Sequence, residues 1–507
     1  MGRVLAAIVT VCMLLAPSAA HAHGALKSSA PAKNAKLTAV PKEIALVFNE
    51  PVELVFTRVE LAGPDGKVSL AGLVFAGSGK RAVKAGIEGP LVAGKYTVTW
   101  QMAGADGHPI RGNFLFSVEA GASGLGTVSS APGGGDSAAA AAGTAGSGNA
   151  AIAAAVGAGR APGQGTAQIH HDAETFPDAG GFNAESPLYV VIRWLQFGAI
   201  LIMTGAVAFH VFVLGLIRKK HGPDVPMLLP ASQRAALVGL YAALFLATVA
   251  VVRLLAQSYA MHAPGTGFAP ALMWSMIGLT TWGWGWLLQV VATVVAITGF
   301  ALARRKRTEG WRIATVGVVL GAFAPALSGH AAASPMLRPL AIMADGIHII
   351  GASGWLGSLL VLLVAGIPAA MALDKDDRGQ AVARLVNAFS PTALVFAGFT
   401  AFTGVFAAWL HLESFSALWQ TDYGTMLFRK LAILSIVAGI GAWNFRYVKP
   451  RLGELEGVKK IKRSATFEIG VATVVLLITA ILVATPPAMD QVGMAIESTT
   501  NGALAVP

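Results

Sequence analysis

Three polar residues in the first quarter of the chain could together hold a metal ion. His23 follows Ala20-His21-Ala22, the small-residue end of a leading apolar segment, and this order is typical of a secretory leader. Cleavage after Ala22 would leave His23 as the new amino terminus, whose amine and imidazole can chelate one ion. Asp106 and His108 add a carboxylate and a second imidazole on a turn. Nitrogen and oxygen donors of this kind suit Cu(II) in a tetragonal site.

Two alternatives stay open for these residues. Cleavage after Ala20 would leave His21-Ala22-His23 at the new terminus, and a histidine in the third position also favours Cu(II). Alternatively, His23 is only a frayed terminus and Asp106-Gly107-His108 is only a polar turn. His23 lies about 85 residues before His108, and this separation does not by itself show that they meet.

The composition places most of the chain in a membrane. Of its 507 residues, 55% are hydrophobic and 12% are charged, with a mean hydropathy of +0.63, which is unlike an ordinary soluble domain. The one cysteine, Cys12, lies in the leader of residues 1–22, so a soft metal would have to be held by Met or His. The net charge of +11 sits in loops between apolar spans, which argues against a nucleic-acid partner. No nucleotide-binding motif is present, and we expect neither a nucleotide partner nor an enzymatic activity.

Residues 23–119 predict a small all-β domain. Short apolar or alternating runs, separated by Gly and Pro turns, predict strands; they are Ile44–Phe48, Val52–Phe56, Tyr96–Trp100 and Asn113–Val118. About 95 residues with this spacing fit a β-sandwich. Residues 120–185 follow, and most of this segment is Gly, Ala and Ser. Because such a segment lacks the large apolar groups of a core, it predicts a flexible linker.

Residues 186–486 predict an all-α domain that crosses a membrane repeatedly. Eight apolar runs are each long enough to span about 30 Å of hydrocarbon as a helix; they cover about 188–217, 235–257, 282–303, 311–333, 340–370, 386–411, 426–447 and 466–485. Residues 487–507 form a C-terminal tail. An exported first domain requires the first helix to enter the membrane from outside.

Basic residues test this orientation independently. The four loops that should face the cytoplasm hold 19 Lys and Arg residues, whereas the outward loops and the tail hold only Arg338. Positive residues favour the cytoplasmic side, so the asymmetry supports eight spans with the first domain and the C-terminus outside the cytoplasm. We therefore predict a multi-pass protein of the bacterial inner (plasma) membrane.

Ionisable residues inside the predicted spans are candidates for an ion pathway. His330, His348 and His411 fall in the outer halves of their spans, and Asp345 lies three residues before His348 on one helix face. Such groups are costly at membrane depth and usually face a bundle interior or an ion path. The alternative is that they only hydrogen-bond neighbouring helices.

Four further residues are weaker candidates for relaying copper. His170 and His171 precede the first span, and Met336 and Met343 lie towards the outer side. A solvated juxtamembrane segment accounts equally for the histidines, and methionine is also ordinary core filler.

The motifs of the first domain resemble those of the CopC family of periplasmic copper-binding proteins. The resemblance rests on His21-Ala22-His23, Ser29-Ala30-Pro31-Ala32, Phe48-Asn49-Glu50-Pro51-Val52-Glu53, Gly94–Trp100 and Ala105–Phe114. It implies a cupredoxin-like Greek-key sandwich in which His23, Asp106 and His108 hold Cu(II). Some family members also carry a methionine-rich Cu(I) site. Since Met102 is the only methionine of this domain, we expect it to bind Cu(II) alone.

The membrane domain resembles the CopD family of copper-resistance or copper-uptake proteins. The motifs that carry this resemblance are Ser328-Gly329-His330-Ala331, His348 followed by Trp355-Leu356-Gly357, Phe389-Ser390, and Tyr423-Gly424 with Lys430 and Asn444. A CopC domain fused ahead of a CopD domain is similar to the YcnJ-type copper importers.

These resemblances imply a protein that captures Cu(II) outside the membrane and passes copper inward as Cu(I) or Cu(II). Its partners would be the copper ion, the lipid bilayer and periplasmic copper donor proteins. Two alternatives stay open. One is a membrane redox protein in which histidine pairs bind haem; the other is a copper sink or sensor that contributes to resistance without transport.

Overall fold

The computed structural model describes residues 26–49, 51–77, 79–104, 107, 109–124, 182–183, 186–262, 267–333, 337–412, 414–448 and 455–485. The predicted leader, the C-terminal tail and most of the predicted linker lie outside these residues. The chain divides into two compact units, which are a β domain and a helical domain. Each is described by itself.

The β domain is a sandwich of two antiparallel-rich sheets. One sheet has the strand order β1-β3-β7-β6 and the other the order β2-β9-β8-β4-β5. Strands β2 and β9 are the one parallel pair among the described strands. The strands are β1 (Leu26–Ala30), β2 (Lys36–Ala39), β3 (Glu43–Phe48), β4 (Arg58–Gly63), β5 (Gly66–Val68), β6 (Val74–Phe75), β7 (Ala82–Gly86), β8 (Gly94–Ala103) and β9 (Pro109–Ser123).

Alternation along β8 explains which face of its sheet is buried. Tyr96, Val98 and Trp100 point into the sandwich, while Thr97 and Thr99 between them are partly exposed, as a period of two requires. They pack with residues of β3 and β9 in one apolar core. The prediction of a β-sandwich is thus confirmed.

One predicted strand is wrong. Val52–Phe56 was expected to be a strand, but only Val52 makes a β-bridge, and Leu54–Phe56 forms a short 3₁₀ helix. Val55 and Phe56 are both buried. An apolar run that fills the core therefore looks like a strand in the sequence even where it pairs with no neighbour.

The helical domain has eight helices that are long and apolar enough to cross a membrane, among the residues that the structure describes, and the predicted number is confirmed. They are α1 (Pro187–His221), α2 (Leu228–Met261), α3 (Thr281–Arg304), α4 (Thr308–Leu327), α5 (Arg338–Ala370), α6 (Lys375–His411), α7 (Asp422–Tyr447) and α8 (Gly457–Leu482). We call the end of the bundle where α1, α3, α5 and α7 begin the predicted outer end.

Two details of the bundle differ from the sequence prediction. The fourth span was expected to reach residue 333, but α4 ends at Leu327 and a separate short helix covers His330–Ala333. A ten-residue helix, Pro270–Leu279, lies between α2 and α3 where a loop was expected. Both differences fall at the predicted outer end.

Helices α1 and α5 cross at a contact made by two glycines. A Cβ on Gly205 would lie 2.2 Å from the carbonyl carbon of Gly357, and a Cβ on Gly357 would lie 2.1 Å from the Leu201 oxygen. Small residues allow such close backbone approach inside membranes. This crossing holds α5, which carries two of the predicted pathway residues, directly against α1.

Candidate functional site

The connection between β8 and β9 contains two of the three predicted copper ligands of the β domain. The register pairs Ala103 with Pro109, so Asp106 and His108 belong to the connection between them. Within that connection Gly107 has φ +74°, a conformation that glycine adopts without strain. Asp106 and His108 themselves lie outside the described residues.

The start of β1 lies at the same end of the sandwich as this hairpin. Leu26 pairs with Phe48, and the Phe48 ring lies 5.3 Å from the Trp100 ring of β8. Val52, four residues beyond Phe48, forms a bridge with Gly104. His23 is outside the described residues, and the described chain begins three residues after it at this end of the sandwich.

The connection from β3 to Val52 also carries a buried oxygen atom. The Oδ1 atom of Asn49 has no hydrogen-bond partner within the described part of the chain. Buried polar atoms are nearly always paired in native proteins. An unpaired amide oxygen is a donor of the type that Cu(II) accepts.

Arg111 follows the hairpin closely and is fixed by a neighbouring strand. Its Nε donates to the Oε1 of Gln101 at 2.9 Å, and Gln101 also pairs with Arg58 across β4. Burial, together with the nearby charge of Arg58, lowers the pKa of Arg111. The side chain is held beside the base of the hairpin.

In the helical domain, His348 of α5 is held against α6. Its Nδ1 lies 3.1 Å from the hydroxyl of Thr403. A Cβ on Gly404 would lie 3.3 Å from the His348 Cε1, so the ring packs onto bare backbone. The imidazole is therefore held between the two helices.

Lys430 of α7 links the predicted pathway residues, and sequence reasoning gave it no role. It interacts electrostatically with Asp345 and with His348 of α5. Tyr423, two turns away on α7, also interacts with Asp345, and its ring lies 6.0 Å from the His411 ring. The structure thus brings Asp345, His348 and His411 together around two side chains of α7. We call these five residues the outer cluster.

The other predicted relay residues are placed differently. His330 is the first residue of the short helix His330–Ala333. Met343 is 49% exposed on α5. His170, His171 and Met336 lie outside the described residues. Within the described part, no group of three or more His, Cys, Asp or Glu side chains is close enough to hold a metal ion.

Arg253 of α2 is a second buried charge that the sequence prediction overlooked. It is 6% exposed, and its Nη2 donates to the Ser328 hydroxyl at 3.0 Å. Its guanidinium also lies 5.1 Å from the Trp282 ring centroid. Since Ser328 opens the Ser328-Gly329-His330 motif, Arg253 positions the turn that carries His330. A single arginine within a long apolar run was the signal that could have identified it.

His210 of α1 packs between neighbouring helices and does not belong to the outer cluster. Its ring stacks on Trp311 with centroids 3.9 Å apart, and its Nδ1 lies 3.0 Å from the Ser232 hydroxyl. These contacts account for a histidine at this depth as a link between helices.

Comparison with known families agrees with the two domains. The CopC domain family matches residues 26–119. The N-terminal domain family of copper resistance protein D-like proteins matches residues 184–335, and the copper resistance protein D family matches residues 383–482.

Individual relatives cover the same regions. Copper transport protein CutJ of Bacillus subtilis is 23% identical over 484 residues, covering 94% of this chain and 77% of CutJ. Copper resistance protein D of Pseudomonas syringae pv. tomato is 24% identical over 318 residues, covering 60% of this chain and 99% of that protein. Copper resistance protein C of Escherichia coli is 34% identical over 107 residues, covering 20% of this chain and 84% of that protein.

The sandwich, the eight apolar helices and these matches define a multi-pass membrane protein of the copper resistance and transport class. Within that class, the chain belongs to the CopC–CopD fusion proteins.

Proposed function

We propose that this protein captures Cu(II) on the extracytoplasmic side of the membrane and passes copper inward through its helical domain, without catalysing a reaction. The β domain would bind the ion with His23, Asp106 and His108. The outer cluster would receive it. Periplasmic donor proteins would supply copper, and the N-terminal domain and the C-terminus would face outward.

The outer cluster is the observation that carries this proposal. Three helices contribute ionisable side chains to one region, namely Asp345 and His348, His411, and Tyr423 and Lys430. Ionisable groups inside a membrane are expensive and usually mark an ion path. A bundle that served only as an anchor would not require them.

The chemistry of the outer cluster suits a cation that must not be trapped. Imidazole and carboxylate are copper ligands in either oxidation state, while the ammonium of Lys430 opposes a second positive charge nearby. An ion that binds too tightly cannot be released, so conduction requires moderate affinity. Copper would cross the cluster as Cu(I) or Cu(II).

Copper accumulation in cells tests the proposal. Cells that express the wild type at limiting copper should gain copper relative to cells without it. His348→Ala should lower this gain about tenfold, the factor that 1.4 kcal/mol represents, and leave Cu(II) binding by the β domain unchanged. His108→Ala should abolish the Cu(II) spin-resonance signal of the β domain and lower uptake only when copper is scarce.

His221→Ala is the matched control, because His221 is exposed at the far end of α1. It should accumulate copper as the wild type does. Equal accumulation in wild-type, His348→Ala and His221→Ala cells would reject the pathway and favour a copper sink. A Soret band in the purified protein would favour the haem alternative.

A further inference from the structure

A buried carboxylate in α8 has no role in the proposed copper pathway. Glu468 is 4% exposed, and Asn444 of α7, which faces it, is 8% exposed. The Nδ2 of Asn444 donates to the Oε2 of Glu468 at 3.4 Å. A Cβ on Gly441 would lie 3.5 Å from the other carboxylate oxygen. Both oxygens of Glu468 therefore lie against α7.

No basic side chain pairs with Glu468 within the described part of the chain. Lys462 and Arg463 on α8 and Arg446, two residues after Asn444 on α7, are charged neighbours along the chain, and all three are exposed. The helices packed against α8 also carry titratable groups, among them Arg193 and His210 on α1, Asp345 and His348 on α5, Arg384 and His411 on α6, and Tyr423 and Lys430 on α7. A carboxylate in this setting lacks a compensating positive charge.

Asn444 carries a buried polar atom that lacks a hydrogen-bond partner at the same place. Its Oδ1 is buried and has no hydrogen-bond partner among the described residues. A protonated carboxyl group has an O–H donor that a carboxylate lacks. One proton on Glu468 would therefore neutralise the buried charge and also provide a donor for the amide oxygen. A carboxylic acid and an amide can exchange two hydrogen bonds in this way.

Glu468 and the outer cluster are joined by one face of α7. Tyr423, Lys430, Val437 and Asn444 are spaced seven residues apart, so they lie on one stripe with about 10 Å between neighbours. The first two belong to the outer cluster, and the last faces Glu468. A movement of α7 would alter both sites together.

An apolar layer separates the two sites. Val437 is fully buried and packs with Leu356 of α5 and with Ala472 and Val475 of α8. Ala472 lies one turn beyond Glu468 on the same helix. Apolar side chains of three helices therefore lie between the two polar sites.

We propose that Glu468, together with Asn444, is a proton-binding site, and that entry of copper into the bundle releases this proton. On loading, an O–H bond forms at the Glu468 carboxylate; on release it breaks, and the proton leaves to water. A copper cation in the bundle favours the charged carboxylate over the neutral acid, since opposite charges attract. The coupling rests on the proposed copper transport, whereas the proton site does not.

Infrared difference spectroscopy on the purified full chain tests the site itself. In the acid-minus-alkaline spectrum, one component of the protonated-carboxyl band should be lost in Glu468→Gln, an isosteric change, and shifted in Asn444→Ala. Glu309→Gln is the control, because Glu309 is exposed at the start of α4, and it should keep that component. A component that is present and unshifted in both Glu468→Gln and Asn444→Ala would overturn the proposal.

Vesicles that hold the purified chain and a pH-sensitive dye test the coupling. Adding copper to wild-type vesicles should change the internal pH, and Glu468→Gln should reduce this change by at least about tenfold while Glu309→Gln does not. Copper uptake by wild-type and Glu468→Gln vesicles with equal proton movement would refute the coupling. If wild-type vesicles take up no copper, the proposed function fails, and the infrared result alone decides the proton site.

Discussion

The β domain and the helical domain place their polar chemistry in opposite locations. In the sandwich, Leu46, Val83 and Val98 are fully buried in an apolar core, and the predicted copper ligands belong to its ends and connections. In the bundle, Gln257 and Gln289 are each only 1% exposed, and charged groups lie between helices. Gln101 and Arg58 are also buried in the β domain, but the predicted copper ligands lie outside its apolar core, whereas the predicted pathway residues lie on helices of the bundle.

This difference predicts how the two domains respond to mutation. The apolar core stabilises the sandwich, so a ligand on a connection can be changed at little cost to folding. In lipid, helices associate through close packing and hydrogen bonds instead of hydrophobic burial. Small residues at helix crossings therefore contribute to stability, and buried polar side chains of the bundle contribute to helix association as well as to function.

The largest stability effect is expected where two backbones touch. Gly205→Leu would place a side chain into Gly357 of α5 and should destabilise the helical domain by about 3 kcal/mol or more. Gly439→Leu on α7 is the control, because a Cβ there meets nothing within 4 Å. Thermal unfolding of the full chain in detergent measures both. If Gly205→Leu is as stable as Gly439→Leu, packing at this crossing does not stabilise the bundle.

Removing a hydroxyl group inside the sandwich is expected to have a smaller effect on stability. The Tyr96 hydroxyl accepts from the Val92 N–H at 2.9 Å and donates to the Val92 carbonyl at 2.8 Å, and burial raises its pKa. Tyr96→Phe should therefore lower the stability of the β domain by about 1–2 kcal/mol. Hydrogen exchange of β-domain amides in the full chain reports this loss. Amides of the helical domain should keep their protection, and an equal loss in both domains would contradict the assignment of this effect to the β domain.

Breaking an ion pair at the surface of the sandwich is expected to have the smallest effect on stability. Lys84 and Glu43 form an ion pair at 3.1 Å, with side chains 36% and 50% exposed. Lys84→Met should change the stability of the β domain by less than about 1 kcal/mol. The same exchange measurement should show no greater loss than this. A loss larger than that of Tyr96→Phe would mean that surface charge contributes more than interior hydrogen bonds to this sandwich.

The sequence was sufficient for features that depend on local pattern. Alternation identified the strand at Tyr96–Trp100, and run length identified eight spans. The sequence was insufficient where residues that are far apart along the chain come into contact. Arg253 and Ser328 are 75 residues apart, and Asn444 and Glu468 are 24 apart. No spacing rule connects such pairs, because their contact depends on how the helices pack.

The same limit applies to the candidate sites. Asp106-Gly107-His108 could be recognised from its residues, whereas the placement of the start of β1 at the same end of the sandwich as the end of β8 follows only from the pairing of Leu26 with Phe48 and of Val52 with Gly104. In the bundle, single charges within apolar runs were visible in the sequence. Their grouping into the outer cluster required the structure.

Uptake of radioactive copper into vesicles tests the central claim most directly. The purified full chain is reconstituted with its β domain outward, and copper inside the vesicles is counted after brief exposure to limiting external copper. The account predicts uptake by the wild type and about tenfold slower uptake by His348→Ala. Uptake by wild-type vesicles equal to that of protein-free vesicles would contradict it.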